Sequence, residues 1–259
     1  MSEQELVTVL IIALATALIV IISRRLGNDR PPLGRLAGPF ALRPLDGLNV
    51  LQQQAGMAVE SGRRLHVTVG RAPLHGPGGP SSVAALQAFD YLATAGSTSG
   101  VTPLVTVGAA TLWPAALGVG QAAYDAVGRG EQFRLRDSRF IADEGFPFVY
   151  GAGVSALLGL ESAGSNVGVG RFGSELTLIA EAARRRDMIQ VLGTDDVTAM
   201  AVATAYTDNS LWGEELFAAG AYLKGSAVQL ASLRTQDVLR WLLVAILLLV
   251  ALLGAVGLL

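Results

Sequence analysis

The sharpest chemical pattern in the chain is a set of glycines that precedes a predicted helix. Gly168, Gly170 and Gly173 form the pattern G-x-G-x-x-G, and Asp195 follows the last of these glycines by 22 residues. Glycines at this spacing let backbone N–H groups approach a pyrophosphate at the N-terminus of a helix, and the acid would bind a ribose hydroxyl. The pattern is therefore typical of a site for a nucleotide or another phosphorylated ligand.

A purely structural role for these glycines is the alternative, and the surrounding sequence favours it. Residues 161–167 (ESAGSNV) are too polar for the buried central strand that usually carries this motif. Only one clear strand is predicted after the motif, and a chain with 31 glycines matches the pattern easily by chance. We therefore expect the glycines to allow close packing between a strand and a helix.

A second glycine-rich loop spans Gly70 to Ser82 (GRAPLHGPGGPSS) and follows the first predicted strand. Its backbone amides, together with Arg71 and His75, have the chemistry to hold an anion, and Ser81 is placed to cap the next helix. A surface loop that ends in a capped helix explains the same residues, and we favour that explanation. Because the loop is longer than a usual strand-to-helix connection, it stays a candidate binding or contact loop.

Few other groups in the sequence are suited to catalysis. His66 and His75 are the only histidines, there is no cysteine, and no pair of histidines has the spacing of a metal site. The adjacent carboxylates are expected to be solvated helix caps, and the chain has neither a G-x-S-x-G elbow nor a P-loop. We predict no catalytic residue, no metal and no cofactor. The net charge of -2 argues against nucleic acid as a partner.

Both ends of the chain carry long uncharged runs. Leu6 to Ile22 holds 17 uncharged residues, and Trp241 to Leu259 holds 19. As helices, runs of this length match a hydrocarbon core of about 30 Å, at roughly 1.5 Å of rise per residue. The sequence therefore predicts transmembrane anchors at residues 1–23 and within residues 226–259, with the lipid bilayer as a partner.

Basic residues next to these runs predict the orientation in the membrane. The arginines near the runs all lie on the side of the middle segment: Arg24, Arg25, Arg30, Arg35, Arg234 and Arg240. Because translocation of arginine across a membrane is disfavoured, the middle segment is predicted to be cytoplasmic. Both termini are then outside, and the membrane is the inner (cytoplasmic) membrane of a cell.

The middle segment divides into a linker and a domain. Residues 24–45 are rich in proline and glycine and are predicted to form an extended linker. Residues 46–225 alternate short β-branched runs with helical stretches, which predicts right-handed βαβ crossovers. The expected fold is a Rossmann-like, doubly wound, mostly parallel sheet, flanked by the N-terminal and C-terminal transmembrane helices.

The end of this domain is harder to assign from the sequence. Five strands are predicted up to Leu192, while Thr198 to Thr207 fits either a sixth strand or a helix. Asn209 to Leu223 has a helical pattern. Ser226 to Leu252 contains neither proline nor glycine, so we expect a single helix that leads from the domain into the C-terminal anchor.

Three segments resemble a bacterial membrane family that is known only as a domain of unknown function. They are Met57 to Gly70 (MAVESGRRLHVTVG), Val169 to Ala182 (VGRFGSELTLIAEA) and Gly213 to Leu223 (GEELFAAGAYL). The resemblance covers about residues 45–240. It implies a central α/β domain between two terminal transmembrane helices, and it implies no activity, cofactor or catalytic residue.

Two functions follow from these observations, and a third, an enzyme that acts on lipid or quinone substrates at the membrane surface, stays open without a residue that supports it. The first is a non-catalytic scaffold, which self-associates or forms a subunit of a larger membrane complex with other membrane proteins. The second is a membrane-tethered binder of a nucleotide or a small phosphorylated ligand, with Gly168, Gly170, Gly173 and the loop around His75 as its site. We favour the scaffold, because the anchors are well defined and the catalytic signals are weak.

Overall fold

The computed structural model describes residues 3–26, 45–225 and 227–255. The helices are α1 (Glu3–Leu26), α2 (Asp46–Ser61), α3 (Gly79–Ser99), α4 (Leu112–Asp125), α5 (Pro147–Leu160), α6 (Leu176–Arg184), α7 (Val197–Tyr206), α8 (Glu214–Lys224) and α9 (Ala227–Ala255). The strands are β1 (Arg64–Thr68), β2 (Leu104–Val107), β3 (Ser138–Phe140), β4 (Ala163–Val169), β5 (Ile189–Thr194) and β6 (Ser210–Trp212). Residues 27–44, most of the predicted linker, lie outside the described residues.

The chain divides into two compact units, of which one contains both terminal helices. This unit comprises Met1–Arg43 and Lys224–Leu259, and within it α1 packs against α9. The helix α9 is unbroken, as the absence of proline and glycine from Ser226 to Leu252 predicts. Across the described ranges 3–26, 45–225 and 227–255, no helix is both long enough and apolar enough to cross a membrane.

The other unit, Pro44–Leu223, holds a six-stranded sheet in the order β3-β2-β1-β4-β5-β6. Each neighbouring pair of strands is parallel. This is the strand order of a Rossmann fold, so the predicted α/β class and the doubly wound sheet are confirmed. The strand order reverses between β1 and β4, because β2 and β3 lie on one side of β1 and the later strands lie on the other. Ligands of such folds bind beside this switch point.

Helices cover the sheet on both faces. On one face α2, α3, α4 and α8 pack over the branched side chains of the central strands, such as Val67, Val105 and Val167. On the other face α5, α6 and α7 form a second core. Alternate residues of a strand point to opposite faces, which explains how each central strand contributes to both layers.

The strand β4 is longer than its sequence predicts. The sequence by itself indicates only a weak strand, from Asn166 to Val169, whereas β4 begins at Ala163 and lies buried between β1 and β5. The expectation that this segment is too polar for a central strand is wrong, because the side chain of Asn166 finds partners inside the sheet. The Asn166 Oδ1 atom is 2.7 Å from His66 Nδ1, and Asn166 Nδ2 donates to Gln190 Oε1 over 3.5 Å.

The end of the sheet also differs from the prediction. Thr198 to Thr207, ambiguous in sequence, belongs to the helix α7, and the sixth strand is the short segment Ser210–Trp212. Asn209 to Leu223 is therefore not one helix but a strand followed by α8. Two strands, not one, follow the glycine motif, as they do in a Rossmann fold.

Candidate functional site

The two glycine-rich loops meet at the switch point, beyond the carboxyl ends of β1 and β4. The backbone N–H of Arg71 donates to the carbonyl of Arg171 over 3.2 Å, which joins the loops directly. A Cβ atom on Gly170 would collide with the carbonyl oxygen of Val69, and one on Gly70 would lie 2.7 Å from that of Arg171. These glycines therefore allow one backbone to lie against the other.

The first glycine of the motif has a packing role as well. Gly168 lies within β4, and a Cβ atom there would be 2.9 Å from Leu192 Cδ2. The nearest atoms also include Leu176 Cδ1 of α6, at 3.9 Å. The missing side chain therefore leaves room for Leu192 of the neighbouring strand β5, whereas Leu176 of α6 lies at an ordinary contact distance.

The carboxylate of Glu175 lies where an anion would bind in this motif. Its Oε1 atom accepts hydrogen bonds from the Gly173 backbone N–H over 2.8 Å and from Arg71 Nε over 2.7 Å. The side chain of Glu175 is 1% exposed, and that of Arg71 is 30% exposed. Two groups predicted to hold a ligand anion, the third glycine's amide and the Arg71 guanidinium, therefore hold a carboxylate of the chain itself.

Asp195, predicted to bind a ribose, connects three elements instead. Its Oδ2 atom accepts a hydrogen bond from Ser81 Oγ over 2.7 Å and lies 3.7 Å from Arg171 Nη1. Its Oδ1 atom is buried and has no hydrogen-bond partner among the described residues. The prediction that Ser81 caps α3 is wrong. The helix begins two residues before Ser81, after Gly78, and has no side-chain cap.

The next residue, Asp196, caps the following helix. Its Oδ1 atom accepts hydrogen bonds from the backbone N–H groups of Thr198, over 3.0 Å, and Ala199, over 3.1 Å. These are the first free donors of α7, so this helix N-terminus is also satisfied by a carboxylate of the chain. Asp196 is thus a helix cap, as predicted for the adjacent carboxylates.

A cleft of about 470 Å³ remains above these contacts. It has the volume of a small-molecule site. Its lining includes His75, which is exposed, and the side chains of Arg71, Arg171, Glu144 and Asp196. Of the seven residues predicted to form a ligand site, the cleft brings together Arg71 and His75, while Gly173, Ser81 and Asp195 are bonded beneath or beside it. The acidic groups around it at least match the basic ones in number, so it offers no strong attraction for a free anion.

Two titratable side chains lie deeper, within the sheet and its covering helix. Burial lowers the pKa of His66 to about 4, although its hydrogen bond with Asn166 acts in the opposite direction. Burial likewise raises the pKa of Tyr150 to about 12; its hydroxyl is bonded to Thr68 Oγ1. Both groups are therefore uncharged at neutral pH, and neither reaches the cleft lining.

Sequence reasoning missed the partners that close the switch point. Glu175 lies two residues after Gly173, and its acidic type at the start of a helix was the available signal. Arg171 occupies a variable position of the glycine motif, so its residue type gave no signal, yet it lines the cleft and its Nη1 atom lies 3.7 Å from Asp195 Oδ2. Among the described residues, no group of three His, Asp or Glu side chains could hold a metal ion.

Comparison with known proteins adds one assignment. A single family description, a domain of unknown function (DUF6754), matches residues 2–258. The chain belongs to this family. The match covers nearly the whole chain and confirms that the three sequence segments belong to a family known as a domain of unknown function. Neither a curated protein nor a solved structure matches the chain.

Proposed function

We propose that the chain is a non-catalytic, membrane-anchored scaffold or a subunit of a larger membrane complex. The observation that carries this proposal is the pair formed by Arg71 and Glu175, which occupies the anion position of the switch point. Where a glycine motif of this kind binds a dinucleotide, its backbone amides are open to the cofactor phosphates. Here the chain closes this position with its own side chains.

Opening the position would be costly. A ligand phosphate would have to displace the carboxylate of Glu175, which is almost completely buried, from both Arg71 and the Gly173 amide. Separating a buried ion pair costs on the order of 3–5 kcal/mol, and the partial exposure of Arg71 reduces that figure. A ligand would need to recover this free energy before it gained any affinity.

We infer the membrane anchors from the sequence. The uncharged runs Leu6 to Ile22 and Trp241 to Leu259 have the length of membrane spans, and both include residues whose side chains lie outside the described part of the chain. Arginines such as Arg24 and Arg240 favour a cytoplasmic middle segment in the inner membrane, with both termini outside. The packing of α1 against α9 supports a paired arrangement of the two anchors.

The outer surface of α5 supports a role in assembly. This helix has no charged residue, and its exposed side chains are apolar. Phe148 is 59% exposed and Leu160 is 83% exposed. The neighbouring helix α6 has Glu181 and Arg184 at its surface, as a solvated helix should. A continuous exposed apolar surface of this kind marks a contact with another protein.

A ligand screen tests the non-catalytic part of the proposal. The full chain, solubilised in detergent, would be heated with millimolar nucleotides, dinucleotides and inorganic phosphate. A ligand that binds the folded state raises the melting temperature. We expect no shift with any of these compounds, and a reproducible rise of several degrees would overturn the scaffold proposal.

A separate experiment tests the topology. Protease would be added to sealed, right-side-out cells that produce the full chain, and the membranes would then be washed with alkaline carbonate. We expect the middle segment to be protected from protease and the chain to stay with the membrane. Digestion of the middle segment contradicts the cytoplasmic assignment, and release by carbonate contradicts the anchors.

The second candidate is a membrane-tethered binder of a small phosphorylated ligand. The observation that favours it is the position of the cleft, which lies beside the switch point with Arg71, His75 and Arg171 in its lining. Substitution Arg171→Ala would leave the ion pair between Arg71 and Glu175 in place. If this function is correct, a nucleotide stabilises the wild-type chain in the thermal screen and has a weaker effect on the Arg171→Ala chain.

A further inference from the structure

The outer face of α5 has a pattern that fits a second copy of itself. We define this face by its exposed residues, which are Phe146, Phe148, Val149, Ala152, Ala156, Gly159 and Leu160. Phe148, Ala152, Ala156 and Leu160 follow one another at intervals of four residues, so they form one stripe along the helix. Large side chains lie at both ends of the stripe and small ones lie in its middle.

We propose that two copies of the chain associate through this face, with their α5 helices antiparallel about a two-fold axis; this inference rests on the scaffold function proposed above. Such an axis, centred near Val154, places Phe148 opposite Leu160 of the second copy. It places Ala152 opposite Ala156 in the same way. A two-fold interface requires this reciprocal matching of one surface with itself. The alanines at the centre let the two backbones approach closely, and the large end residues then cover the gap.

The charges around the face favour the antiparallel arrangement. Asp143 and Glu144 are exposed just before the N-terminal end of α5. At the other end, the guanidinium of Arg186 lies beside Gly159, where an added Cβ atom would be 2.6 Å from its Nη2 atom. Glu161, which directly follows α5, is paired with Arg64 and Arg139. An antiparallel pair therefore brings the acidic end of each helix to the Arg186 guanidinium of its partner. A parallel pair would bring like charges together.

The area of the face is close to the lower limit for a specific contact. Phe146, Phe148 and Val149 are each more than half exposed, and Leu160 is exposed over most of its surface. At roughly 150–200 Å² for each large side chain, of which about two thirds is exposed, these four side chains offer about 400–500 Å² per copy. Two copies that bury the whole face reach about 800–1,000 Å², against a lower limit of about 1,000 Å² for a specific interface. Anchoring both copies in one membrane raises their effective concentration and supports a contact of this size.

Cysteine crosslinking in native membranes tests the arrangement, since the natural chain has no cysteine. Chains with Phe148→Cys and chains with Leu160→Cys, carrying different tags, would be produced separately and together and then oxidised. We expect the mixed pair to crosslink and each variant alone to crosslink poorly. Crosslinking of Phe148→Cys chains with one another, or no crosslinking in any combination, overturns the proposal. Chains with Ala201→Cys, on the exposed surface of α7, are the matched control.

Substitution Ala156→Glu tests the same face without crosslinking. The masses of single particles would be measured for the full chain in lipid nanodiscs. The melting temperature would be measured as well, to show that the variant is folded. We expect dimers for the wild-type chain and for Ala201→Glu, and monomers for Ala156→Glu. A monomeric wild-type chain overturns the proposal, as does an Ala156→Glu dimer. If a different membrane protein accompanies the wild-type monomer and is lost from Ala156→Glu, the face binds that protein, and the scaffold function stands while the second-copy proposal fails.

Discussion

Ser81 Oγ donates a hydrogen bond to Asp195 Oδ2 over 2.7 Å, although the two residues are 114 positions apart in the chain. The bond joins the first turn of α3 to the carboxyl end of β5 and passes across the end of β4. Because α3 follows β1 and Asp195 follows β5, the bond connects the two halves of the Rossmann fold. It crosses the crevice in which such folds bind their ligands. The ion pair between Arg71 and Glu175 lies at the same end of the sheet, at the start of α6, which packs on the opposite face from α3.

Replacing the serine should weaken this connection. In Ser81→Ala the Oδ2 atom of Asp195 loses its donor, while Oδ1 already lacks one. A hydrogen bond to a charged group contributes about 1.5–3 kcal/mol, so we expect a loss of unfolding free energy near the lower end of this range. Denaturant unfolding of the solubilised chain would measure it. Ser99→Ala, at the exposed end of the same helix, should cause no comparable change.

Replacing Glu175 should both destabilise the domain and open the anion position. In Glu175→Ala the Arg71 guanidinium and the Gly173 amide lose their common acceptor. We expect a loss of about 2–3 kcal/mol in unfolding free energy, because Arg71 stays partly solvated. Acetate or inorganic phosphate should then raise the melting temperature of the variant and leave that of the wild-type chain unchanged. An equal effect on both chains would show that the position is not the one vacated by the carboxylate.

Gly170 should tolerate no side chain. Its φ of 141° is unfavourable for any other residue, and a methyl group would collide with the Val69 carbonyl. We expect Gly170→Ala to cost about 2 kcal/mol or more in unfolding free energy. The control is Gly118→Ala in α4, where an added Cβ meets nothing within 4 Å. That substitution should stabilise the chain by about 0.5–1 kcal/mol, since alanine favours a helix.

The stability of the domain should depend on pH through His66. Its pKa is about 4 in the folded chain, against an ordinary value of 6.5, because burial disfavours the charged ring. Between these values the unfolded chain binds the proton and the folded chain does not, so stability is full above pH 6.5 and falls as the pH decreases towards 4. The loss is up to about 3 kcal/mol for a shift of this size.

Melting temperatures of the wild-type chain and of His66→Gln, recorded at several values between pH 4 and pH 7, would measure this contribution. Glutamine has no proton to gain in this range, so the variant should lose less stability than the wild-type chain over the same interval. The prediction fails if the two chains show the same dependence on pH.

The sequence was sufficient for the fold class because β-branched runs and helical stretches alternate along the chain. It was less informative at β4, where Ser165 and Asn166 obscure the strand signal. The burial of Asn166 depends on His66 of β1 and Gln190 of β5, and such pairs between distant segments leave no local pattern. The short strand β6 was missed for a similar reason, because three residues are too few to show alternation.

The candidate site could be located but not interpreted from the sequence. Both glycine-rich loops were identified, and the strand order places them together at the switch point. Whether their donors are open to a ligand depends on the side chains that reach them. Glu175 accepts a hydrogen bond from Arg71, and Ser81 donates one to Asp195, so both contacts join segments more than 100 residues apart in the chain. Spacing alone therefore could not distinguish an open phosphate site from one filled by a carboxylate.

The buried row His66, Asn166 and Gln190 also limits how the strands can align. These residues occupy matching positions on β1, β4 and β5, beneath α6. If β4 slipped by one residue, Asn166 would turn to the opposite layer, among valines, and the imidazole would lose its amide partner. Misaligned sheets are thereby penalised while the correct one is not. The row therefore makes the correct register of the central strands much lower in free energy than registers shifted by one residue. An entirely apolar sheet would distinguish these registers poorly.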